Sequence, residues 1–404
     1  MRILDIAYTC PWPPRGGNDL RVWHLCRLLG RRAEQSLLCR AMNQSDSGHY
    51  PAFHGEPIEV HSLYLPRPGP LRRILKALRY LPGPYPLMTA GFDFRAFRAR
   101  LRYLVQYGRF DVIAMDGIYL GSCWPLIEGG ASLKVLNHFD LEARSMRRKA
   151  GLFRPGWERM LYRLDAARME RLERRVMRTA DLIWVTSEVD RDAILQAEGS
   201  LPVEVAPNGV DCESIQPIPP KGGTTVLFVG SLNQFANAEG VQYFVRDVFP
   251  QLRRRLPDAM FRVVGRHPGP EIKALAAQPG VEVLGEVDDL TPWYANCAAV
   301  VTPIRAGGGT RLKILEAMAY GRPLVSTTLG CEGIRAENGR EVILADEATG
   351  MADSLYRLIT RPHEAATIAG AARRLVEKHY GWTSIAGRMH AIYELKLEQQ
   401  RRRG

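Results

Sequence analysis

Short apolar runs alternate along the chain with longer stretches in which apolar residues recur every three or four positions. In the first half, the short runs are "RILDIAY" (2–8), "DVIAMD" (111–116), "LKVLNH" (133–138) and "ADLIWVT" (180–186), and the helical stretches are 18–29, 95–106 and 155–179. Runs that are apolar on both faces are typical of buried parallel strands, which need helical connections between them. The pattern predicts a doubly wound α/β domain.

The same alternation starts again after residues 205–223, a segment dense in Pro, Gly, Asn and Asp that suits a connection between domains. The strands predicted beyond it are 224–231, 259–266, 281–286, 298–304, 322–327 and 341–345. We therefore expect two Rossmann-like domains facing each other across a cleft. Their predicted bounds are 1–207 and 208–383, with a C-terminal helix at 384–404 joining the first domain. Ligands of such sheets bind at the carboxyl ends of strands, where the strand order reverses.

Composition narrows the class of protein. The chain has 404 residues, which suits two domains of about 200 residues each. No run approaches the roughly 20 apolar residues of a membrane span, and the N-terminus does not resemble a signal peptide, so a cytoplasmic protein is expected. The seven cysteines are an odd number without a C-x-x-C pair, which favours reduced thiols over a disulfide framework or a zinc site.

The stretch "AGGGTRLKILEAMAYGRPLVST" (306–327) follows a predicted strand and runs into a predicted helix. The free N–H groups and the positive dipole end of such a helix bind anions, and glycines such as Gly308 and Gly309 let the backbone approach a phosphate closely. Thr310 is placed to cap the helix or to bond a phosphate oxygen. Arg311 and Lys313 add positive charge at the same end.

Glu316 lies three residues beyond Lys313, about 4.5 Å further along the helix axis. A carboxylate there is placed to accept two hydrogen bonds from a ribose diol while a diphosphate sits at the helix end. The alternative is an ordinary capped helix with Lys313 and Glu316 as a solvated ion pair. Because Glu316 falls inside the apolar run "ILEAMA", the sequence favours a nucleotide site.

The stretch 303–334 resembles the donor-binding signature of family-4 glycosyltransferases of GT-B fold, in the branch that acts in bacterial surface-polysaccharide assembly. The resemblance extends to "FVGSLNQFANAEGVQYFVRDVFP", "VVGRHP", "PWPPRGGNDLR" and "LNHFDLEARS". It implies a retaining transfer of a sugar from a UDP- or GDP-sugar to a lipid-linked or surface-polysaccharide precursor. We expect that neither a cofactor nor a metal is needed.

The resemblance assigns roles at matching positions. Glu316 corresponds to the second Glu of the family's E-x7-E motif, which binds the donor ribose. The first Glu of that motif falls at Gly308, and the Arg of the family's "GR" falls at Ser231. The family's downstream diphosphate-binding Lys has no clear match. Arg311 and Lys313 are expected to supply the missing charge.

Further residues of the second domain take their roles from the resemblance. Gly265 and Arg266 end a predicted strand near the expected base pocket, and Arg266 is a further candidate for phosphate charge. Glu332, in "GCEGI", lies in a loop of the kind that closes over the donor sugar. The alternative for Glu332 is a simple turn acid.

In the first domain, Gly16 and Gly17 form a glycine loop of the kind that meets the donor diphosphate or the acceptor, and Arg21 is placed on the acceptor side. His138 is expected to contact the transferred sugar, and Asp140 to act as a base or an acceptor ligand. The alternatives are a plain turn capped by Asn18, a structural histidine and a solvated acid.

The basic residues of the first half suggest an anionic membrane as a further partner. The net charge is +12, and residues 1–210 hold 31 Lys and Arg against 22 Asp and Glu. The segments 71–80, 95–103 and 144–163 mix Arg with aromatic and aliphatic residues, which suits peripheral binding to an anionic membrane at its inner face. The alternative is a solvated Arg-rich face. Binding to nucleic acid is not expected, because no such motif appears.

Two other functions stay open on the sequence alone. The first is a GT-B nucleotide-sugar epimerase or hydrolase, which would act without an acceptor. The second is a degenerate GT-B protein that serves as a scaffold, which the missing Glu at Gly308 and the missing Arg at Ser231 keep in view.

Overall fold

The structure is a computed structural model of the chain. It describes all residues except 15, 67–68, 70, 72–74, 76–82, 84, 88–93, 154, 219–221 and 404. The chain divides into two compact units. The N-terminal unit comprises Met1–Pro207 and Trp382–Gly404, and the C-terminal unit comprises Asn208–Gly381.

The strands of the described residues are, in chain order, β1 (Arg2–Ala7), β2 (Glu34–Ala41), β3 (Gly48–Tyr50), β4 (Ile58–Tyr64), β5 (Val112–Asp116), β6 (Leu133–His138), β7 (Leu182–Val185), β8 (Val203–Val205), β9 (Thr225–Val229), β10 (Met260–Val264), β11 (Val281–Gly285), β12 (Ala299–Thr302), β13 (Leu324–Ser326) and β14 (Ile343–Leu344).

The α-helices of the same residues are α1 (Gly17–Gly30), α2 (Arg95–Tyr107), α3 (Glu142–Leu152), α4 (Trp157–Thr179), α5 (Glu188–Glu198), α6 (Phe235–Tyr243), α7 (Phe249–Arg255), α8 (Pro270–Ala274), α9 (Thr291–Ala295), α10 (Leu312–Ala319), α11 (Ala348–Thr360), α12 (Pro362–His379) and α13 (Trp382–Arg403). Short 3₁₀ segments lie at Gln44–Asp46, Ile118–Leu126 and Leu275–Ala277, and a π-helical turn at Phe244–Val248 joins α6 to α7.

The N-terminal unit is built on a sheet with strand order β3-β4-β2-β1-β5-β6-β7-β8. All its strand pairs are parallel except β3 with β4, which is antiparallel. Residues Arg95–Tyr107 form helix α2 because Phe97, Leu101 and Leu104 recur every three or four residues. This spacing puts the three side chains on one face, which is buried in the core beside the sheet. The order reverses between β1 and β5, which places a switch point at their carboxyl ends.

The C-terminal unit has a six-stranded parallel sheet with order β11-β10-β9-β12-β13-β14. The order reverses between β9 and β12, so the carboxyl ends of these two neighbours form its switch point. One side of the sheet is covered by a stripe of apolar residues that recur at helical spacing after β9 and are buried: Val241, Phe244, Val245, Val248, Phe249 and Leu252.

These units confirm the predicted fold class of α/β domains with parallel sheets. The predicted strands are found with shorter bounds, as in β7 and β14. Four strands of the N-terminal unit were not predicted: β2, β3, β4 and β8. Of these, β3 has a short polar sequence, "GHY", and lies at the sheet edge. The basic segment 71–80 lies outside the described residues apart from Leu71 and Leu75. Among the described helices, none has the length and apolar character needed to cross a membrane.

Candidate functional site

The glycine-rich loop lies at the switch point of the C-terminal unit. It follows β12, whose four residues are all buried, and leads into α10. Gly307 and Gly309 have φ angles of +89° and +72°, a left-handed conformation that favours glycine. The loop sequence is therefore dictated by backbone geometry as well as by any ligand.

Helix α10 begins one residue later than a Thr310 cap requires. Arg311, and not Thr310, occupies the N-cap position with extended backbone, and the Arg311 side chain makes no capping hydrogen bond. The cap role considered for Thr310 is therefore wrong, and its role toward a phosphate oxygen stays a prediction. Thr310 is buried and its carbonyl accepts a hydrogen bond from Asn208 Nδ2 at 2.9 Å. The Arg311 guanidinium folds back over the loop, where Nη2 donates to the carbonyl of Ala306 at 3.2 Å.

Lys313 brings a positive charge to the carboxyl end of β9. Its Nζ donates to Asn237 Oδ1 at 2.5 Å and lies 4.4 Å from the centroid of the Phe228 ring. Burial, with the nearby charge of Arg311, lowers the pKa of Lys313 to about 7. Lys313 is therefore a cation held at the switch point by tertiary contacts, and an anion beside it would favour its charged form.

Glu316 lies on the same helix and is tied to a different partner. Tyr294 donates its hydroxyl to Glu316 Oε2 at 3.1 Å, and its buried ring stacks on Tyr320 with centroids 4.3 Å apart. Burial raises the pKa of Glu316 to about 7. The reading of Lys313 and Glu316 as a solvated ion pair does not describe this arrangement, because each side chain has its own polar partner within the fold.

The sequence reasoning missed three residues of this site: Gly230, Asn237 and Tyr294. Asn237 lies in the first turn of α6, 76 positions from Lys313, and only the sheet topology brings the two together. A usable signal was present at "VGSLNQFANAEG", where a strand, a glycine and a helix follow one another as they do around Gly309.

Gly230 leaves room for the lysine. A Cβ at Gly230 would lie 2.6 Å from Lys313 Nζ, whereas a Cβ at Gly269 would meet no atom within 4 Å. We predict that Gly230→Ala displaces the ammonium and weakens nucleoside-diphosphate binding by about tenfold, the effect of roughly 1.4 kcal/mol. Titration calorimetry measures this, with Gly269→Ala as the matched control. Equal affinities in the two variants would show that the lysine position is irrelevant to binding.

Gly265 has a structural reason to be glycine. A Cβ there would lie 1.8 Å from the carbonyl oxygen of Gly230, so the ends of β9 and β10 pack too closely for any side chain. Arg266 is partly buried, with Nε 3.7 Å from Glu286 Oε1. Proximity of these residues to a nucleotide base stays a prediction.

Glu332 lies in the turn after β13, beside the switch point. The turn is anchored by Thr327, whose Oγ1 donates to the carbonyl of Ile304 at 2.5 Å and accepts from the N–H of Gly330 at 2.9 Å. These bonds tie the turn to the loop after β12. The expected contact of Glu332 with a donor sugar stays a prediction.

In the N-terminal unit, Gly16 is the N-cap residue of α1 and Gly17 is its first residue. Because Gly16 is the N-cap residue and Asn18 lies inside the helix, the alternative of an Asn18 cap does not hold. Apart from its chain neighbours, a Cβ at Gly16 would meet no atom of the described residues within 4 Å, and the φ of Gly16, −167°, suits any residue. Internal packing therefore does not explain this glycine, and its predicted ligand role remains open.

Arg21 is 1% exposed. Its Nη1 donates to the carbonyl of Pro207 at 2.8 Å, and its guanidinium lies 5.5 Å from the centroid of the Phe139 ring. Burial lowers the pKa of Arg21 to about 10, and the nearby Asp116 opposes that shift. These contacts give Arg21 a structural role, and its expected acceptor contact stays a prediction.

His138 ends β6 and is 2% exposed. Its Nε2 lies 3.5 Å from Glu173 Oε1, and burial lowers the pKa of the imidazole to about 4. Two further acids follow it: Asp140, which is partly buried, and Glu142, which accepts a hydrogen bond from Tyr119 Oη at 2.7 Å. Burial, with the charge of Asp140, raises the pKa of Glu142 to about 8. The carboxyl edge of β6 thus carries a histidine among acids.

One group among the described residues has donor atoms close enough to hold a metal: His49, Glu59 and His61, on β3 and β4. Its hydrogen bonds argue against a cation. Arg100 donates to His61 Nδ1 at 3.0 Å, and the Nδ1 atoms of the two histidines are 2.9 Å apart. A guanidinium beside His61 favours a proton on its Nε2, the nitrogen that faces Glu59 at 3.4 Å. We read this group as a polar network at the sheet edge.

Comparisons with known families cover most of the chain. The sequence model described as "Glycosyl transferase 4-like domain" matches residues 16–209, and the one described as "Glycosyl transferases group 1" matches residues 223–361. The two matches fall on the two units, and the second contains the loop and helix α10.

Individual relatives are distant. A GDP-mannose-dependent α-(1-6)-phosphatidylinositol monomannoside mannosyltransferase from Mycolicibacterium smegmatis is 25% identical over 249 residues, 56% of this chain and 65% of the relative. The matches span 42% to 65% of the length of the curated relatives.

Solved structures show the same fold. Sucrose-phosphate synthase from Thermosynechococcus elongatus superposes with a TM-score of 0.74 at 19% identity, covering 98% of this chain and 99% of that one. HepE from Anabaena, in complex with UDP and glucose, gives a TM-score of 0.68 at 17% identity with the same coverage of both chains.

Proposed function

Because the chain belongs to the family-4-like glycosyltransferases of GT-B fold, we propose that it transfers a sugar from a nucleoside-diphosphate sugar to an acceptor hydroxyl. The observation that carries the proposal is the arrangement at the switch point of the C-terminal unit. There the glycine loop, the helix N-terminus and the Lys313 ammonium are placed for a diphosphate. The Glu316 carboxyl, further along the same helix, is placed for the ribose that follows it.

The chemistry asked of this site is stabilisation of a leaving diphosphate. The bond from the anomeric carbon to the diphosphate oxygen breaks, a bond to the acceptor oxygen forms on the same face, and the acceptor proton passes to the departing phosphate. Configuration is therefore retained without a protein nucleophile. Positive groups aimed at the developing phosphate charge supply the main catalytic effect, and Lys313 with the N-terminus of α10 is placed for it. No metal or cofactor is required in this proposal.

The donor is proposed to be a UDP- or GDP-sugar. Two similarities support these bases: HepE was solved with UDP and glucose, and the mycobacterial relative is GDP-mannose-dependent. Glu316 is proposed to accept hydrogen bonds from the ribose diol. Gly265, Arg266 and Glu332 are proposed to line the donor, at the ends of β10 and β13.

The acceptor is proposed to be a lipid-linked or surface-polysaccharide precursor, bound by the N-terminal unit. Arg21 is proposed on the acceptor side, and Asp140 is proposed as a base or an acceptor ligand. Gly16 and Gly17 are proposed to meet the donor diphosphate or the acceptor, and His138 the transferred sugar. The protein would then work in the cytoplasm at the inner face of the cell membrane.

Helix α4 carries the feature that suits such a membrane. Trp157, Met160 and Leu164 recur on one face and are 69%, 66% and 42% exposed, with the exposed Arg163 beside them. Each basic residue near an anionic surface contributes about 1 kcal/mol of attraction. We expect co-sedimentation with phosphatidylglycerol vesicles but not with phosphatidylcholine vesicles, and loss of binding in a Trp157→Glu/Met160→Glu variant. Leu395→Glu is the control at an exposed position of α13. Equal binding of all three proteins would contradict the assignment of α4.

The transfer itself is tested with UDP- and GDP-sugars and a panel of polyprenyl-linked and free glycan acceptors, in EDTA. Release of the nucleoside diphosphate must depend on the acceptor, and proton NMR of the product must show the anomeric configuration of the donor. Acceptor-independent epimerisation or hydrolysis would replace the proposal with the corresponding alternative, and binding without any turnover would favour a scaffold.

A further inference from the structure

Glu173 and His138 form a buried pair in the N-terminal unit that the sequence does not suggest. Glu173 lies on α4, 35 positions beyond His138 in the numbering, and is 4% exposed. Its Oε1 is 3.5 Å from His138 Nε2 and also accepts a hydrogen bond from the N–H of Ala143 at 3.4 Å. Glu173 therefore joins three elements: its own helix, the first turn of α3 and the end of β6.

Among the described residues, no protein group forms a hydrogen bond with His138 Nδ1. In the part of the chain that the structure describes, neither ring nitrogen makes a hydrogen bond of normal geometry. Glu173 is a partner for Nε2, because it faces that nitrogen at ion-pair distance. The described residues offer no such partner for Nδ1. A buried polar atom without a partner calls for one, and in a transferase of sugars a substrate hydroxyl is a partner of the right chemistry.

We infer that Glu173 is a positioning residue that decides which nitrogen of His138 carries the proton, so that Nδ1–H is presented to a sugar hydroxyl. The inference rests on the proposed function for its ligand. When Glu173 is protonated, its O–H donates to Nε2, and the ring proton must then sit on Nδ1. When Glu173 is ionised, it accepts a hydrogen bond from Nε2–H, and Nδ1 loses its proton.

The surroundings favour the protonated acid at neutral pH. Burial raises the pKa of Glu173 to about 8, and the charges of Glu142 and Asp140 on the β6–α3 segment act in the same direction. The N–H groups of Glu142 and Ala143 oppose them. Because the pKa is raised, the Nδ1–H form is present below about pH 8 and is lost as the pH rises through that value.

The test distinguishes a Glu173 that sets the tautomer of His138 from a Glu173 that only caps α3. A residue that only caps α3 would affect stability, but it would not change the histidine tautomer with pH. In ¹⁵N-histidine-labelled protein, we expect the ring nitrogen shifts of His138 to report Nδ1–H at pH 7 and Nε2–H at pH 9. In Glu173→Gln, which keeps the shape and cannot ionise, the shifts should not change between these pH values. Glu170→Gln, at a half-buried acid of the same helix that pairs with Arg147 and Arg174, should behave as wild type.

Kinetics provide the second readout. The kcat of the wild type should fall above about pH 8, the pKa of Glu173, and Glu173→Gln should lose that alkaline limb. Glu173→Ala should lower kcat by about 10²-fold with an unchanged nucleotide Kd, because the ring is no longer oriented. A wild-type tautomer that does not change with pH, or a change that persists in Glu173→Gln, would overturn the inference. Absence of transfer with every donor would overturn the proposed function. The NMR result would then still show whether Glu173 sets the tautomer of His138.

Discussion

Replacing Lys313 with alanine is expected to lower kcat for sugar transfer by about 10²- to 10³-fold, the range found when one preorganised group is removed from a developing anion. The reason is the location of Nζ, held by Asn237 above Phe228 at the switch point. The measurement is steady-state transfer with the donor identified by binding. Lys273→Ala is the matched control, because Lys273 is an exposed lysine of the same unit.

The pH dependence of binding gives Lys313 a second signature. Its pKa in the free protein is about 7, and a bound diphosphate would raise it by favouring the ammonium. Affinity should therefore be full below pH 7 and fall as the pH rises through that window. Lys313→Ala should lose this slope. A variant that keeps both wild-type activity and the wild-type slope would remove Lys313 from the site.

The second large effect is expected at Glu316. Loss of a hydrogen bond to a charged group costs about 1.5–3 kcal/mol, so Glu316→Ala should weaken binding of UDP or GDP by about 10- to 150-fold. The wild type should prefer the ribonucleotide over its 2′-deoxy form, and Glu316→Ala should lose that preference. Calorimetric titration of both nucleotides into both proteins isolates the coupling between the carboxylate and the ribose hydroxyl.

Glu271→Ala, at an exposed acid of α8, is the control for this experiment. Replacing Glu316 is expected to weaken nucleotide binding but to stabilise the ligand-free protein at alkaline pH. Since burial raises the pKa of Glu316 to about 7, ionising it in the folded protein costs free energy above that pH. Glu316→Gln should therefore raise the melting temperature of the ligand-free protein at pH 8. If Glu316→Ala still discriminates the 2′-deoxy nucleotide, the ribose contact belongs to another residue.

The fold followed from local pattern to a large extent. Buried parallel strands such as "LIWV" (182–185) are apolar on both faces, and their period and length are properties of the sequence itself. The stripe beginning at Val241 is visible in the sequence for the same reason, because helical spacing fixes which side chains face a sheet. Strand β3 carries little such signal, since an edge strand needs few apolar side chains.

The site was predicted where its chemistry is local and missed where it depends on tertiary contacts. Lys313 and Glu316 lie on one helix turn and were recognised by spacing. Asn237 and Tyr294, which hold them, come from other helices, and no short-range pattern connects them. Thr310 shows the limit of local reasoning: the helix starts at Leu312 because Arg311 keeps extended backbone, which removes the expected cap.

In the proposed function, the C-terminal unit holds a ribonucleoside diphosphate at the N-terminus of α10. The measurement is titration calorimetry of the wild type with UDP, GDP, ADP and dTDP in EDTA. Thermal shifts provide a check, because a ligand at 100 times its Kd stabilises the folded protein by about 2.7 kcal/mol. We predict that UDP or GDP binds without metal and that binding is weakened in both Lys313→Ala and Glu316→Ala. Binding of none of the four nucleotides, or binding that neither substitution changes, would contradict it.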